Sequence, residues 1–547
     1  MKKRNGLFAL ISLLAILFYA AAADSRGKPQ SNNVSRYLVQ YSAGSYQELQ
    51  AFIHQKGGQV IFDYSTLISG MAVDLSATAV KELRRSGLAT SIEADSERTQ
   101  HALPGNYPLL PFEEFVPWGV DRVEADQLWS SAANSGPADN GVAMPEVLPG
   151  SVTGNGVVVA VLDSGIDYGH PDLMDNILDL RGDGVMRDFL DGDEDPTDAT
   201  GNGHGSNVAS VIASVDNDVG VIGIAPEAKI SPYRVCDGTC PLSAIIAALV
   251  QAVLDDVDVI NMSFGGTAGF NIEASAIQAA NRAGVILVAS AGNEATQQPS
   301  FPAAYDTVLA VGATEFGDAP ADFTNVGGWV DITGPGVHIP VATCRGCGRF
   351  AMMMELSPMA RMLSPVAMEG TGVATVAGTE IVDLGRGCVA SQGDVYNSDP
   401  TGKVALIQRG ACSFAEKVMF AEQAGAVAVA VFNNVPGNFN GTLGDFTAAV
   451  PAASLSLEEG QLVQADIASG VTLVDISVVA SDYDTVDGTS FSGPHVAGVA
   501  ALILQVAPDS SPIQVRKLLE KNAERLGPKV IFGNGMVRAD KSVSAAQ

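Results

Sequence analysis

The chain is organised around the stretch Gly488-Thr489-Ser490-Phe491-Ser492-Gly493-Pro494-His495, where a loop of small residues meets an apolar segment that ends near Val506. The apolar segment is typical of a buried helix, which places Ser490 at the helix N-terminus. Unpaired backbone N–H groups and the positive end of the helix dipole favour an oxyanion there. Serine is also a common N-cap residue. The stretch alone therefore leaves two interpretations open, a reactive serine and a structural cap.

Outward from this stretch, strands and helices alternate along the chain. The apolar run 157–162 ends in Asp163-Ser164-Gly165, as expected for a buried parallel strand that leads into a loop. A helix starts near His204, and helices also precede the strands at 257–262 and 285–290. The pattern predicts the α/β class, with a doubly wound, mostly parallel sheet and helices on both faces. Functional side chains in such sheets lie at the carboxyl ends of the strands.

Asp163, His204 and Ser490 are the residue types of an acyl-transfer site. The serine attacks, the histidine takes its proton, and the aspartate holds the imidazole in the right tautomer. The order Asp, His, Ser along the chain distinguishes one class of serine hydrolases from the others. The sequence therefore favours the reactive serine over the cap.

The blocks 161–167, 203–209 and 488–498 resemble the three catalytic blocks of the subtilisin-like serine proteases. This resemblance implies that Asp163, His204 and Ser490 form a catalytic triad. It also implies that Asn293 joins the Ser490 backbone N–H in binding the oxyanion of the tetrahedral intermediate. In this family the loss of one such donor costs about 10²–10³-fold in rate.

Ser263-Phe264-Gly265-Gly266 resembles the substrate-binding strand of the family, which pairs with an extended peptide. The specificity pocket would be lined by Phe264, Gly265, Gly266, Ala289, Ser290 and Ala291. These small or apolar residues imply a preference for an apolar or aromatic residue before the cut bond. The chain departs from the family at Ser206-Asn207, usually Thr-His, and at Phe491, usually Met. Neither departure replaces a triad or oxyanion group.

A structural Ca²⁺ site is also implied by the resemblance, and no cofactor is expected for catalysis. Oxygen ligands from carboxylates, an amide and backbone carbonyls suit Ca²⁺. A solvated acidic turn is the alternative for the loop 215–221. The implied ligand positions are Glu114, Asp172, Val215, Asn217, Val219 and Val221.

The first 117 residues are predicted to comprise a targeting segment, a small folded unit and a linker. Residues 1–23 have a basic start, a short apolar run and small residues at 20–23, as in a signal peptide. Residues 36–100 have the βαββαβ order of a ferredoxin-like α+β unit, and this unit resembles the inhibitory propeptide of the family. An unrelated ferredoxin-like module is the alternative. The proline-rich linker 101–117 is expected to contain the maturation site.

Residues 344–482 interrupt the sheet domain, whose two parts are expected at 118–343 and 483–547. Strands at 403–408 and 426–432 with a helix between them form a separate βαβ unit, which resembles a protease-associated α/β domain. The Met-rich stretch 352–368 is predicted to be an irregular connector. Sequence proximity suggests the disulfides Cys236–Cys240, Cys344–Cys347 and Cys388–Cys412, although six cysteines allow 15 connectivities.

The composition limits the partners and the compartment. A net charge of −30 over 547 residues argues against nucleic acid, because binding to phosphates depends on Lys and Arg. We expect a secreted monomer without a membrane anchor after signal removal, with polypeptides and its own propeptide as partners. A catalytically silent peptide-binding protein of the same fold is the rival interpretation.

Overall fold

The computed structural model describes residues 34–100 except 43, 114–129, 151–198, and 203–547 except 437, 438, 440 and 445. The predicted signal peptide (1–23) and most of the predicted linker (101–117) lie outside these ranges. The described part of the linker leads into the short helix Trp118–Arg122 and the 3₁₀ turn Asp126–Leu128.

Six parallel strands form the central sheet. Alternate side chains of these strands point to opposite faces of the sheet, and nearly all are buried, as expected for a parallel sheet covered on both sides. The predicted doubly wound α/β class is confirmed. In spatial order the strands are Ile332–Pro335, Val308–Thr314, Ile286–Ser290, Val259–Met262, Val158–Asp163 and Lys229–Arg234.

Helices cover both faces of the central sheet. On one face, His204–Ala213 and Thr489–Val506 pack against Val159 and Val161, together with the outer helices Pro512–Asn522 and Ala539–Ser544. On the other face, Leu242–Leu254 and Asn271–Arg282 pack against the intervening strand residues. Every residue from Thr489 to Leu504 is buried, so the serine-bearing helix runs through the core.

The N-terminal unit has the predicted βαββαβ order. Its antiparallel sheet has the spatial order second, third, first, fourth strand, which is the ferredoxin-like arrangement. One face of this sheet packs on its own two helices, and the other contributes to the apolar cluster around helices Leu242–Leu254 and Asn271–Arg282. The elements are Val34–Tyr41, Tyr46–Gln55, Gln59–Asp63, Gly70–Ser76, Ala77–Ser86 and Ala89–Ala94.

A further strand, Glu97–Gln100, follows this unit and was not predicted. It lies between the short strands Phe264–Gly265 and Thr239–Pro241 and is antiparallel to both. Phe264 is opposite Gln100, and Gly265 is opposite Thr99. The end of the N-terminal unit therefore completes a three-stranded sheet on the main domain.

The inserted part forms an eight-stranded sheet of its own. It leaves and rejoins the main domain through an antiparallel pair, Ile339–Ala342 with Tyr483–Val486. Its helices are Val389–Gln392, Phe414–Gln423 and Leu457–Ser469. The strands are Gly348–Ser357, Arg361–Leu363, Val366–Ala367, Ala374–Asp383, Val404–Gln408, Ala428–Phe432, Ala452–Leu455 and Thr472–Ser481.

The prediction of an irregular connector at 352–368 is wrong. Gly348–Ser357 is a ten-residue strand that pairs with Thr472–Ser481 at the far end of the insert. Its methionines alternate in the manner of a strand, since Met353 is 1% exposed and Met352 is 43% exposed. Unbranched methionine gives little local signal for a strand, and the partner strand is distant in sequence.

The three disulfides are those suggested by proximity, namely Cys236–Cys240, Cys344–Cys347 and Cys388–Cys412. Within the described ranges, no helix has the length and apolar character needed to cross a bilayer.

Candidate active site

Asp163 and His204 form a buried hydrogen-bonded pair. Asp163 ends its strand and His204 begins its helix, and His204 Nδ1 lies 2.6 Å from Asp163 Oδ1. The backbone N–H of Ser164 donates to the same oxygen at 2.8 Å. Both side chains are almost fully buried, with 0% and 3% of their surface exposed. The carboxylate accepts the imidazole N–H, which leaves Nε2 as the basic nitrogen.

The helix approaches the strand end because Gly205 follows His204. A Cβ atom at position 205 would lie 2.1 Å from the carbonyl oxygen of Gly165. Any side chain there would push the helix N-terminus away from Asp163. The Gly-His-Gly sequence is therefore a steric requirement of the Asp163–His204 contact.

Ser490 lies in the first turn of its helix and is fully buried. Its Oγ donates to the carbonyl oxygen of Ser263 at 3.0 Å, and Ser263 Oγ donates to the carbonyl oxygen of Ser490 at 2.8 Å. These reciprocal bonds tie the serine to the end of strand Val259–Met262. Phe491 packs against His204 with 5.6 Å between ring centroids, so the residue that departs from the family pattern contacts the imidazole.

Asn293 is oriented by the residue before the serine. Its Oδ1 accepts bonds from the backbone N–H of Thr489 at 3.0 Å and from Thr489 Oγ1 at 2.8 Å. Gly292 N–H in turn donates to Thr489 Oγ1 at 3.0 Å. With its oxygen engaged by Thr489, the amide has a fixed orientation beside the N-terminus of the serine helix.

The predicted substrate strand contacts the N-terminal unit. Phe264 and Gly265 use their backbone to pair with Gln100 and Thr99, while the Phe264 side chain is buried in the apolar core. Gln100 Nε2 donates to Asp163 Oδ1 at 2.7 Å and lies 3.1 Å from His204 Nδ1. The other predicted pocket residues, Ala289, Ser290 and Ala291, are fully buried at the end of the neighbouring strand.

The predicted calcium positions also come together. Asn217 N–H donates to Glu114 Oε1 at 2.9 Å, and Asn217 Nδ2 lies 3.4 Å from Asp172 Oδ1. Val219 N–H donates to Asn217 Oδ1, Val221 N–H donates to Asp172 Oδ2, and Val215 N–H donates to the Asp172 carbonyl oxygen.

Glu114 has one carboxylate oxygen that the described contacts leave unsatisfied. Its Oε2 is buried and has no hydrogen-bond partner. Burial, with nearby Asp216, raises the pKa of the Glu114 carboxyl to about 7. These surroundings therefore disfavour the charged form of the Glu114 carboxyl. No group of three His, Cys, Asp or Glu side chains with metal-binding geometry occurs in the described ranges.

One contact in the cleft had no signal in the sequence. Arg98, in the strand Glu97–Gln100, forms a buried ion pair with Glu273 of helix Asn271–Arg282. The two residues are 175 positions apart. An arginine and a glutamate so far apart carry no motif, and only the register of the strand brings them together.

Comparisons with known proteins agree with this architecture. A model described as the subtilase family matches residues 154–379, and one described as the PA domain matches residues 374–463. Subtilisin NAT from Bacillus subtilis subsp. natto is 32% identical over 343 residues, which are 61% of this chain and 79% of that protein.

Solved structures show the same relationship. Apa1, a psychrophilic subtilisin-like protease from the Antarctic psychrotroph Pseudoalteromonas sp. AS-11, is similar with a TM-score of 0.54 and 26% identity, over 79% of this chain and 97% of that one. Fervidolysin from Fervidobacterium pennivorans shares the fold at a TM-score of 0.56 and 20% identity, over 95% of this chain and 62% of that one. The chain belongs to the subtilase family of serine peptidases and carries a PA domain.

Proposed function

We propose that the chain is the precursor of a secreted endopeptidase that cuts itself and then other polypeptides through the triad Asp163, His204 and Ser490. One observation carries the proposal. The strand Glu97–Gln100 lies between Phe264–Gly265 and Thr239–Pro241, and its last residue contacts Asp163 beside His204. An extended peptide thus occupies the groove as a substrate would.

The first chemical step is acylation of the serine. Ser490 Oγ attacks the carbonyl carbon of the cut bond while His204 Nε2 takes the hydroxyl proton. The carbonyl oxygen becomes an oxyanion, which the Ser490 backbone N–H and the Asn293 amide stabilise. The C–N bond then breaks, and His204 gives its proton to the departing amine. The Asp163 carboxylate holds the imidazole and stabilises its transient positive charge.

Deacylation repeats these roles with water. His204 takes a proton from the water, whose oxygen attacks the acyl carbon. Collapse of the second tetrahedral intermediate breaks the bond to Ser490 Oγ, which recovers its proton from the imidazolium. The products are a carboxylic acid and an amine, and the site returns to its starting state without a cofactor.

The strand register supports a particular maturation bond. Gln100 is opposite Phe264, and in a bound peptide that continued this antiparallel register the following residue would be opposite Ser263. The carbonyl oxygen of Ser263 accepts the bond from Ser490 Oγ. We therefore assign self-cleavage to the bond between His101 and Ala102, within the predicted linker and outside the described residues.

Residues 36–100 would act as a propeptide. They supply the N-terminal caps of two helices of the main domain. Helices Leu242–Leu254 and Asn271–Arg282 have no side-chain cap of their own. Asp95 accepts from the backbone N–H of Ser243 at 3.0 Å, and Glu93 accepts from the backbone N–H of Asn271 at 3.1 Å. A carboxylate at a helix N-terminus satisfies free N–H groups and the helix dipole. The unit would thus assist folding and block the cleft until it is removed.

The remaining boundaries follow the predicted division of the chain. We assign 1–23 to the signal peptide, 101–117 to the linker, 118–343 and 483–547 to the catalytic domain, and 344–482 to the insert. The three disulfides support export, because such bonds persist in oxidising compartments. The partners would be polypeptide substrates and the propeptide, with the mature enzyme a monomer.

We further propose a structural Ca²⁺ bound by Glu114, Asp172, Asn217 and the backbone carbonyls of Val215, Val219 and Val221. The unsatisfied Glu114 Oε2 supports this assignment. The ion would neutralise the two carboxylates and fix the loop 215–221, and it would take no part in the reaction.

Removal of Ca²⁺ is expected to destabilise the processed protein. At a Ca²⁺ concentration about 100-fold above Kd, binding to the native state contributes about 2.7 kcal/mol, which a chelator removes. Calorimetry with and without chelator measures the change in unfolding temperature. Glu114→Gln should lose most of the Ca²⁺-dependent increase, whereas Asp193→Asn, at an exposed aspartate of another loop, should retain it. An equal increase in all three proteins would contradict the assigned ligands.

Covalent labelling tests the proposed reaction. A fluorophosphonate should add one label per processed chain, on the peptide that contains Ser490, and abolish peptide cleavage in proportion. Mass spectrometry should show that the processed chain begins at Ala102. A processed, folded protein that binds peptides but takes up no label would favour the silent peptide-binding protein.

A further inference from the structure

We propose that Glu273 forms a buried subsite that selects arginine at the fourth residue before the cut bond. This inference rests on the proposed function, because it treats the strand Glu97–Gln100 as a bound substrate. In that register His101 immediately precedes the cut bond, and Gln100 and Thr99 come before it. Arg98 is then the fourth residue.

The Arg98 side chain enters the main domain completely. It is 2% exposed, and its Nη2 and Nε lie 2.5 Å and 3.3 Å from the two carboxylate oxygens of Glu273. Two parallel N–H donors on one carboxylate match the planar fork of a guanidinium. Lysine would keep the charge but not this two-point contact.

The walls of the subsite also fit a guanidinium. Phe270 lies under it, with 5.4 Å from the ring centroid to Arg98 Cζ. A Cβ atom at Gly266 would lie 2.8 Å from Arg98 Nη1, so any larger residue there would collide with the guanidinium. Phe270 and Gly266 therefore leave a flat space that fits a guanidinium group.

Glu273 lies in helix Asn271–Arg282 of the main domain, which the mature enzyme would retain. It is fully buried and is held by the Tyr305 hydroxyl, which donates to Oε2 at 2.7 Å. Burial raises the pKa of the Glu273 carboxyl, and Arg98 acts against that rise. The negative charge of Glu93, which is part of the propeptide, also raises this pKa.

Departure of Arg98 would leave the Glu273 carboxylate without its cation. Such a group binds a substrate cation more favourably than an apolar side chain, because the cation restores a pair that water reaches poorly. The same contact would select substrates and hold the propeptide in the cleft before maturation.

Matched peptides test the subsite in the mature enzyme. Quenched fluorescent peptides that differ only at the fourth residue before the cut bond should carry arginine, lysine or norleucine. We expect kcat/KM for arginine to exceed that for norleucine by about 10- to 100-fold, the range for a hydrogen-bonded charge contact, with lysine between them. Glu273→Gln should remove most of this preference. Glu227→Gln, at an exposed glutamate of the same domain, should retain it.

Since Glu273→Gln leaves Arg98 unpaired in the precursor, maturation of that variant could fail. The double variant Arg98→Met/Glu273→Leu removes both charges and should mature and prefer norleucine over arginine. If the wild-type enzyme cleaves the arginine and norleucine peptides equally, or the double variant still prefers arginine, the subsite is refuted while the peptidase remains. If the wild-type enzyme cleaves no peptide, the proposed function itself fails.

Discussion

Replacement of Ser490 by alanine is expected to leave the precursor intact and to lower kcat by about 10⁶-fold, the order of magnitude known for subtilisin, a member of the same family. The hydroxyl is the nucleophile of the acylation step in the proposed mechanism. Without it, His204 has no proton to accept and no acyl-enzyme forms. Incubation of the purified precursor, followed by intact-mass measurement, should show no product that begins at Ala102.

Ser492→Ala is the matched control for this change. Ser492 lies two residues further along the same helix and is equally buried, and its Oγ has no hydrogen-bond partner. Loss of this hydroxyl removes no bond, so processing and turnover should stay within a few-fold of wild type. A folded Ser490→Ala protein that still processes itself would place the nucleophile elsewhere.

Asp163→Asn is expected to lower kcat by about 10⁴-fold with the fold intact, the order known for this change in trypsin. The Asp163 carboxylate can only accept hydrogen bonds. The neutral imidazole of His204 must therefore carry its proton on Nδ1, which lies 2.6 Å from Asp163 Oδ1. An asparagine amide can instead donate to Nδ1. That interaction favours the other tautomer, in which Nε2 carries the proton and cannot serve as a base.

The comparison for this variant is Asp167→Asn. Asp167 is a buried aspartate four residues further along, but it binds the Arg345 guanidinium and the Arg345 backbone N–H at the base of the insert. Its loss should affect stability and leave kcat within about tenfold of wild type. Steady-state kinetics on one peptide, with unfolding curves for both variants, separates the two effects. Equal losses of kcat would argue against the tautomer role of Asp163.

Three strands of the main sheet, at 157–162, 257–262 and 285–290, were predicted from the sequence, whereas Val308–Thr314 and Ile332–Pro335 were not. Lys229–Arg234 was missed because it combines polar ends with Pro232, and proline is tolerated there only because the strand lies at the sheet edge. Glu97–Gln100 was missed for another reason. Four polar residues have no strand pattern, and their order comes from partners more than 100 residues away.

The site residues divide in the same way. Asp163, His204, Asn293 and Ser490 stand in local sequence patterns, and for that reason the sequence alone predicts catalytic roles for them. Glu273 occurs in an ordinary helix, and its relation to Arg98 exists only after the N-terminal unit docks. Local patterns thus predict the proposed catalytic groups, whereas the proposed arginine subsite depends on two residues that are distant in sequence.

The insert is large, and the way its two ends are joined explains how the catalytic domain tolerates it. These ends form an antiparallel pair, Ile339–Ala342 with Tyr483–Val486. About half of the chain between His204 and Ser490 lies in the insert, whose two ends are adjacent. Once those ends pair, the loop that must close to bring the serine to the histidine is about half as long. Loop-closure entropy changes by only about 0.6 kcal/mol per doubling of length. An entire additional domain at this point is thus nearly neutral for assembly of the catalytic centre.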